Sequence, residues 1–381
     1  MAQLIPITES PPAYGDFREF VRPSPPDRMT STIRFESAII TEIEENNIVE
    51  AELILPRDAV KPIPVVIILH YWGAHDFSIE RRLANELLSR GIGAAFVPLP
   101  YHMKRTPQGM ISGAYALLPS IEHLKTGITQ SVLDVKRLID YFETRADIDH
   151  TRIGITGISL GGVLSSLVYG VEPRIQVASV MMGGGDFAYL IWHSSITLET
   201  RNAFRNNGIT ESILREELKP VEPLTYANHD RGDNILIIGA RYDEVVPPES
   251  VNKLISAYGA KEVVWLATGH YGGALVERRL FRITSDFMES RFYGRRFLTP
   301  ESVGAPTIRF GVMYNPDYEL TLSIGIDLWK PDKRSPIRLS GWLTPEGPAL
   351  SLGYFFEKGF SAGFVTTKRK STWGIFWSFV L

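Results

Sequence analysis

Ser159 is the residue of this chain best placed for chemistry. It lies in Gly157-Ile-Ser-Leu-Gly161, between the apolar run that starts at Ile153 and a stretch with helical periodicity. A nucleophilic serine needs this context, because a sharp turn from strand to helix exposes its Oγ above the sheet. Glycines on either side let the strand and the helix approach closely. The surrounding pattern therefore predicts a nucleophile, whereas the Gly-x-Ser-x-Gly motif without this context would be weak evidence.

Two later segments place an acid and a histidine just after apolar runs. Asp243 follows the run 234–239, and His270 follows the run 262–266. Such runs are typical of buried parallel strands, whose carboxyl ends meet at one edge of a sheet. The chain order serine, aspartate, histidine is that of the α/β-hydrolase arrangement. We therefore expect Ser159, Asp243 and His270 at one sheet edge.

These residue types suit acyl transfer. Serine is a weak nucleophile near neutral pH, so His270 would remove its proton during attack and return it later. A carboxylate would hold the imidazole in one tautomer and stabilise its cation. We assign that role to Asp243, with Asp186 as the alternative, because Asp186 also ends a predicted strand. Glu244 is interpreted as a solvated loop charge.

Residues from about 35 to 293 resemble the α/β-hydrolase superfamily, and within it the dienelactone-hydrolase and acetyl-xylan-esterase-like serine esterases. The resemblance implies an α/β fold with a mostly parallel sheet, and Ser159, Asp243 and His270 as nucleophile, acid and base. The C-terminal region is outside it. The segments that carry the resemblance are Leu69–Gly73, Gly157–Gly162, Gly239–Pro247 and Thr268–Tyr271.

The developing oxyanion requires backbone N–H donors that are already in place. The amide of Leu160, at the start of the predicted helix, is one expected donor. The second should come from the turn His70-Tyr-Trp-Gly73, where related enzymes have a His-Gly loop. We favour the amide of Tyr71, with that of Trp72 as the alternative.

Further side chains are candidates for substrate binding, each with a structural alternative. His70 could instead support the oxyanion loop. His102 and Arg105 follow a predicted strand and open on the catalytic edge, although they could belong to a surface loop stiffened by prolines. Trp192, with neighbouring aromatic residues, suggests a partly apolar acyl or aryl pocket, or simply packs the cap.

Composition limits the functional classes. The 381-residue chain has a net charge of −3 and no cysteine, which excludes disulfides, thiolate metal sites and a cysteine nucleophile. Nothing indicates a nucleic-acid partner, and we expect neither a metal nor an organic cofactor. The amino terminus lacks the pattern of a signal peptide, and no apolar run reaches the roughly 18–20 residues of a spanning helix. We expect a cytoplasmic protein.

The chain divides by pattern into three parts. Residues 1–30 are rich in proline and predict an irregular lead-in. Residues 31–298 predict the α/β-hydrolase domain, which starts with a β-hairpin and carries a helical cap over about 187–220. Residues 299–381 alternate apolar and polar side chains, which predicts an antiparallel β region.

The apolar face of this β region needs a cover. It includes Leu320, Leu322, Ile324 and Ile326, each of which would forgo roughly 1.5–3 kcal/mol in water. We expect it to dock on the hydrolase domain or on a second subunit, as in a homodimer. Insertion into a membrane as a barrel is the less favoured alternative, because about eighty residues are too few for a closed eight-stranded barrel.

The pattern as a whole predicts a serine hydrolase that cleaves a small-molecule carboxylic ester through an acyl-enzyme. A peptidase or thioesterase would use the same three residues, because only the pocket distinguishes them. A non-catalytic assembly protein, in which the β region carries the function, is the alternative from another class.

Overall fold

The computed structural model describes residues 5–300, 302–304, 308–315, 319–329, 337–345, 347–356, 360–367 and 371–380. These residues form two compact units. The first comprises the described residues up to Gly239, Val245–Val264 and the segment from Arg278 to residue 300. The second comprises Ala240–Glu244, Trp265–Glu277 and the described residues from Ser302 onwards. The predicted boundary between residues 298 and 299 stays a prediction.

Apolar runs form a ten-stranded sheet, in the order β1-β2-β3-β5-β4-β6-β7-β8-β9-β10. The pairs from β1 to β3 and the pair β3–β5 are antiparallel, whereas β5–β4, β4–β6, β6–β7 and β7–β8 are parallel. The strands are β1 (Arg18–Arg22), β2 (Arg28–Glu36), β3 (Ile48–Pro56), β4 (Ile63–Leu69), β5 (Gly93–Val97), β6 (Ile148–Ile158), β7 (Ile175–Met181), β8 (Ile235–Ala240), β9 (Glu262–Leu266) and β10 (Ser302–Val303).

Helices connect the parallel strands, and the central strands β4 and β5 are buried along their whole length. In the second helix, Val132, Val135, Ile139 and Phe142 are buried, as their spacing predicts. The helices are α1 (Ser78–Leu88), α2 (Ile121–Glu143), α3 (Leu160–Val171), α4 (Phe187–His193), α5 (Leu198–Asn206), α6 (Glu211–Leu218), α7 (Pro223–Tyr226), α8 (Pro248–Tyr258) and α9 (Glu277–Tyr293). Among the described helices, none combines the length and apolar character needed to cross a membrane.

The predicted hairpin and cap are confirmed. Strands β2 and β3 pair antiparallel from Arg28 to Glu36, and helices α4, α5 and α6 occupy the cap region. The prediction of an irregular lead-in is wrong for Arg18–Arg22, which forms the exposed edge strand β1 against β2. Proline lies outside this strand, so nothing prevents its backbone from pairing.

The C-terminal β region closes into a six-stranded antiparallel barrel, in which β11 also pairs with β16. The antiparallel prediction is confirmed, whereas a barrel was only the less favoured alternative. Leu320, Leu322, Ile324 and Ile326 point outward from the barrel and are exposed, so their predicted burial against the hydrolase domain or a second subunit stays a prediction. Cover by a second subunit stays untested. The strands are β11 (Ile308–Asn315), β12 (Glu319–Trp329), β13 (Ile337–Thr344), β14 (Gly347–Phe355), β15 (Phe360–Thr367) and β16 (Ser371–Val380).

Candidate active site

Ser159 occupies a strained turn between β6 and α3. Its φ of 56° and ψ of −117° lie in a region that a residue with a side chain rarely adopts. A Cβ on Gly157 would lie 2.3 Å from the carbonyl carbon of Gly161, and one on Gly161 would lie 2.1 Å from the carbonyl oxygen of Leu69. Both positions therefore require glycine. The serine is 8% exposed.

Asp243 and His270 form a hydrogen-bonded pair. The Nδ1 of His270 lies 2.7 Å from Oδ2 of Asp243, and both side chains are largely shielded from water. Two backbone hydrogen bonds join the segments that carry them: Arg241 N–H donates to Leu266 O at 3.0 Å, and Tyr242 N–H donates to Thr268 O at 3.1 Å. The acid thus accepts from the imidazole and leaves Nε2 for another partner.

Asp186, the alternative acid, serves a different purpose. Its carboxylate caps α4 by accepting from Tyr189 N–H at 3.0 Å, and it pairs with Arg215 at 3.1 Å and Lys253 at 2.5 Å. Burial raises its pKa, but hydrogen bonds from Lys253, Tyr189 and Arg215 bring it below the usual value. These contacts favour a structural role for the Asp186 carboxylate over that of the catalytic acid.

His70 supports the turn after β4. Its Nδ1 lies 2.8 Å from Tyr71 O, and its Nε2 accepts from Leu99 N–H at 2.9 Å, so Nδ1 carries the proton. Burial lowers the pKa of His70 to about 3. A neutral histidine with both nitrogens engaged internally suits loop support better than substrate binding.

The amides predicted to bind the oxyanion lie in two segments. Leu160 is the first residue of α3, where an N–H has no acceptor within the helix. In the turn after β4, the indole N–H of Trp72 donates to Gly113 O at 2.9 Å, which fixes the orientation of that residue. The assignment of Tyr71, with Trp72 as the alternative, stays a prediction.

His102 and Arg105 are buried, and their contacts are internal. The Nδ1 of His102 lies 2.8 Å from Pro100 O, and burial lowers the pKa of His102 to about 4. The guanidinium of Arg105 pairs with buried Asp134 at 2.9 Å and donates to Asn46 O and Pro98 O. This arrangement favours a structural role for Arg105, whereas His102 also lines the cavity beside Ser159.

An apolar cavity of about 140 Å³ opens beside Ser159. Helices α2, α3 and α4 and the loops between elements supply its walls, and α4 places the cap on one side of it. Trp192 lies outside it, beneath the guanidinium of Arg205 at 5.1 Å from the ring centroid. Sequence reasoning missed most of the lining, although the valines that follow the acid in the chain were a signal. The lining includes Leu124, Ile128, Val163, Phe187, Ile191, Val245 and Val246.

Comparisons with known proteins agree with this architecture. The family described as "Alpha/beta hydrolase domain containing 18" matches residues 34–219, which include the serine turn. The chain has the α/β-hydrolase fold. Among curated relatives, the uncharacterized protein Rv2627c of Mycobacterium tuberculosis (strain ATCC 25618 / H37Rv) is 28% identical to this chain over 198 residues. That alignment covers 50% of this chain and 44% of the relative, so it spans less than half of the relative's length.

Solved structures share the fold of this chain at low sequence identity. Acetyl xylan esterase 1 from Thermoanaerobacterium sp. JW/SL YS485 has a TM-score of 0.58 and 16% identity, over 75% of this chain and 91% of that one. The acetyl xylan esterase from Paenibacillus sp. R4 has a TM-score of 0.55 and 20% identity, over 72% and 89%. The acylaminoacyl peptidase of Pyrococcus horikoshii has a TM-score of 0.50 and 16% identity, over 72% and 42%.

Proposed function

We propose that this α/β-hydrolase cleaves carboxylic esters through an acyl-enzyme on Ser159, with His270 as base and Asp243 as acid. The observation that carries the proposal is a serine held at positive φ in a glycine-flanked turn beside an apolar cavity. The Asp243–His270 pair supports it. The three residues also follow strands β6, β8 and β9, in the order typical of the fold.

The reaction proceeds in two halves. Ser159 Oγ attacks the ester carbonyl carbon while His270 Nε2 takes its proton, and the amide of Leu160 stabilises the oxyanion. The tetrahedral intermediate collapses, and His270 returns the proton to the departing alcohol. Water, activated by the same histidine, then attacks the acyl-serine and releases the acid.

The cavity indicates the kind of acyl group. Its walls are almost entirely aliphatic and aromatic carbon, and they offer few groups that could hydrogen-bond to a polar acid. A desolvated polar acyl group would therefore lose more free energy than it regains. We infer a substrate whose acyl group is apolar and whose alcohol part faces away from the cavity.

The experiment combines active-site labelling with turnover. A fluorophosphonate probe should modify Ser159, and Ser159→Ala should lose both labelling and hydrolysis of aryl esters. Ser131→Ala, a serine of the same cavity, is the matched control and should keep both. Labelling at another serine would overturn the proposal, and no labelling at all would favour the assembly protein. A preference for thioesters or aminoacyl amides over esters would reassign the leaving group but keep the nucleophile.

A further inference from the structure

The outer surface of the barrel is apolar, whereas its interior mixes polar side chains with a buried apolar cluster of Met313, Trp342, Ala349, Val365 and Phe376. Along β12, Leu322, Ile324 and Ile326 point outward and are exposed, whereas Ser323 and Gly325 point inward and are buried. Serines occupy further buried positions on β13, β14, β15 and β16. Successive side chains of a strand point to opposite faces, and in this barrel the apolar side chains are on the face that is exposed.

Apolar exposure extends around the whole barrel. Every strand from β11 to β16 carries outward aliphatic or aromatic side chains, and their exposed fractions include 76% for Leu322, 50% for Leu352 and 43% for Ile375. We call these residues the apolar band. It comprises Phe310, Tyr314, Leu320, Leu322, Ile324, Ile326, Leu328, Ile337, Leu343, Leu350, Leu352, Tyr354, Phe360, Phe364, Trp373, Ile375 and Trp377.

The interior of the barrel holds a network of paired charges around Asp327. Asp327 accepts from Arg309 Nε at 2.8 Å, from Arg338 at 2.9 Å and from the Ser340 hydroxyl at 3.0 Å. A buried carboxylate between two guanidinium groups is held by paired, charge-assisted bonds. These polar groups bind one another inside the barrel, so they need no hydrogen-bond partners on its outer surface.

The height of the apolar band approaches that of a hydrocarbon layer. On β12 it runs from Leu320 to Leu328, about 27 Å along the strand at roughly 3.4 Å per residue. A barrel strand tilts by about 35–45°, so this segment rises about 19–22 Å along the barrel axis, a few ångströms less than the apolar height of about 25 Å in transmembrane barrels. Charged residues occur in the sequences between strands, namely Lys330, Asp332, Lys333, Arg334, Glu357, Lys358, Lys368, Arg369 and Lys370.

We propose that the apolar band lies in the hydrocarbon of a lipid bilayer. A protein partner, including a second copy, would cover one side of the barrel and leave the opposite strands in water. Lipid surrounds all six strands at once and makes no demand for hydrogen bonds, which the closed barrel has already satisfied internally. Six strands are fewer than the eight of the smallest single-chain bacterial outer-membrane barrels. We therefore infer contact with lipid from the distribution of the side chains and not from the number of strands.

The chain contains no cysteine, so single cysteines can test this directly. Leu322→Cys, Leu352→Cys and Ile375→Cys place one thiol on β12, β14 and β16, which alternate around the barrel. Each full-length variant is labelled with an environment-sensitive fluorophore and mixed with phosphatidylcholine vesicles whose acyl chains are brominated. Bromine quenches only at close range, so we expect loss of fluorescence at all three positions. Ile213→Cys, an exposed isoleucine on α6, is the control and should stay bright.

Flotation of the unlabelled chain with phosphatidylcholine vesicles gives a second readout. Leu352→Arg should abolish flotation, because arginine on the lipid face of a barrel opposes insertion, whereas Ile213→Arg should float like the parent chain. Quenching at one position alone would show that lipid contacts only one side of the barrel, and it would overturn insertion into the bilayer. A parent chain that stays in the aqueous layer as a monomer or dimer would overturn the proposal.

Discussion

The imidazole of His270 and the carboxylate of Asp243 lie 2.7 Å apart, nitrogen to oxygen. Because the carboxylate accepts at Nδ1, the proton stays on that nitrogen and Nε2 is the basic atom. The pair sits on segments joined by backbone hydrogen bonds at Arg241 and Tyr242. The histidine is thereby oriented before any substrate arrives.

Loss of the Asp243 carboxylate should be far more damaging than loss of Asp186. In Asp243→Asn the histidine can adopt the wrong tautomer, and we expect ester turnover to fall by about 10⁴-fold. Asp186→Asn disturbs a helix cap and two ion pairs, so it should lower stability more than kcat. Steady-state kinetics and thermal unfolding of both variants check this, and the reverse order would move the acid to Asp186.

A larger side chain in the cap should shorten the preferred acyl chain. Ile191 lines the cavity from α4, so Ile191→Phe removes space that a long acyl group would fill. We expect kcat/KM to fall by about 10-fold or more for the longest esters tolerated, with the shortest little changed. Trp192→Phe, one residue along and outside the cavity, is the control. An equal loss for all chain lengths would place the acyl group elsewhere.

Glu80 should make stability depend on pH. It is buried on α1, and its carboxylate oxygens have no hydrogen-bond partner among the described residues. Burial raises its pKa to about 7 from an ordinary 4.5. The folded protein therefore holds the proton more tightly than the unfolded chain, so stability falls as pH rises from about 4.5 to 7.

The variant Glu80→Gln isolates this effect. At pH 8 its free energy of unfolding should exceed that of the parent chain by up to about 3 kcal/mol. The difference should vanish near pH 4, where the parent carboxyl is neutral in both states. Urea unfolding at the two pH values measures it, with exposed Glu44→Gln as control. A difference that does not change with pH would contradict the assignment.

Arg105 should contribute to stability and not to substrate affinity. Arg105→Leu leaves the buried carboxylate of Asp134 unpaired, which should cost about 3–5 kcal/mol of unfolding free energy. Replacing Asp134 by Leu as well should recover much of that loss, because the carboxylate that lost its partner is then also absent. KM should stay close to that of the parent in either variant that folds. A raised KM at unchanged stability would restore the substrate-orienting role.

The sequence by itself determined the elements that carry the chemistry. Glycines at 157 and 161 around Ser159, and apolar runs before Asp243 and His270, predicted the turn and the strand ends correctly, because these depend on local sterics and burial. Alternation from Leu320 to Leu328 predicted an antiparallel strand for the same reason. Local pattern also identified the amphipathic face of α2.

Tertiary structure alone decided which partners these residues have. Asp186 and Asp243 both end strands, and only the packing of Lys253 and Arg215 against one, and of His270 against the other, separates them. A charged residue such as Arg105 looks like a ligand for substrate until Asp134 is found beside it. Closure of the barrel depends on pairing between its first and last strands. Alternation shows that a strand has two faces, but the long-range pairing determines which of them is inside.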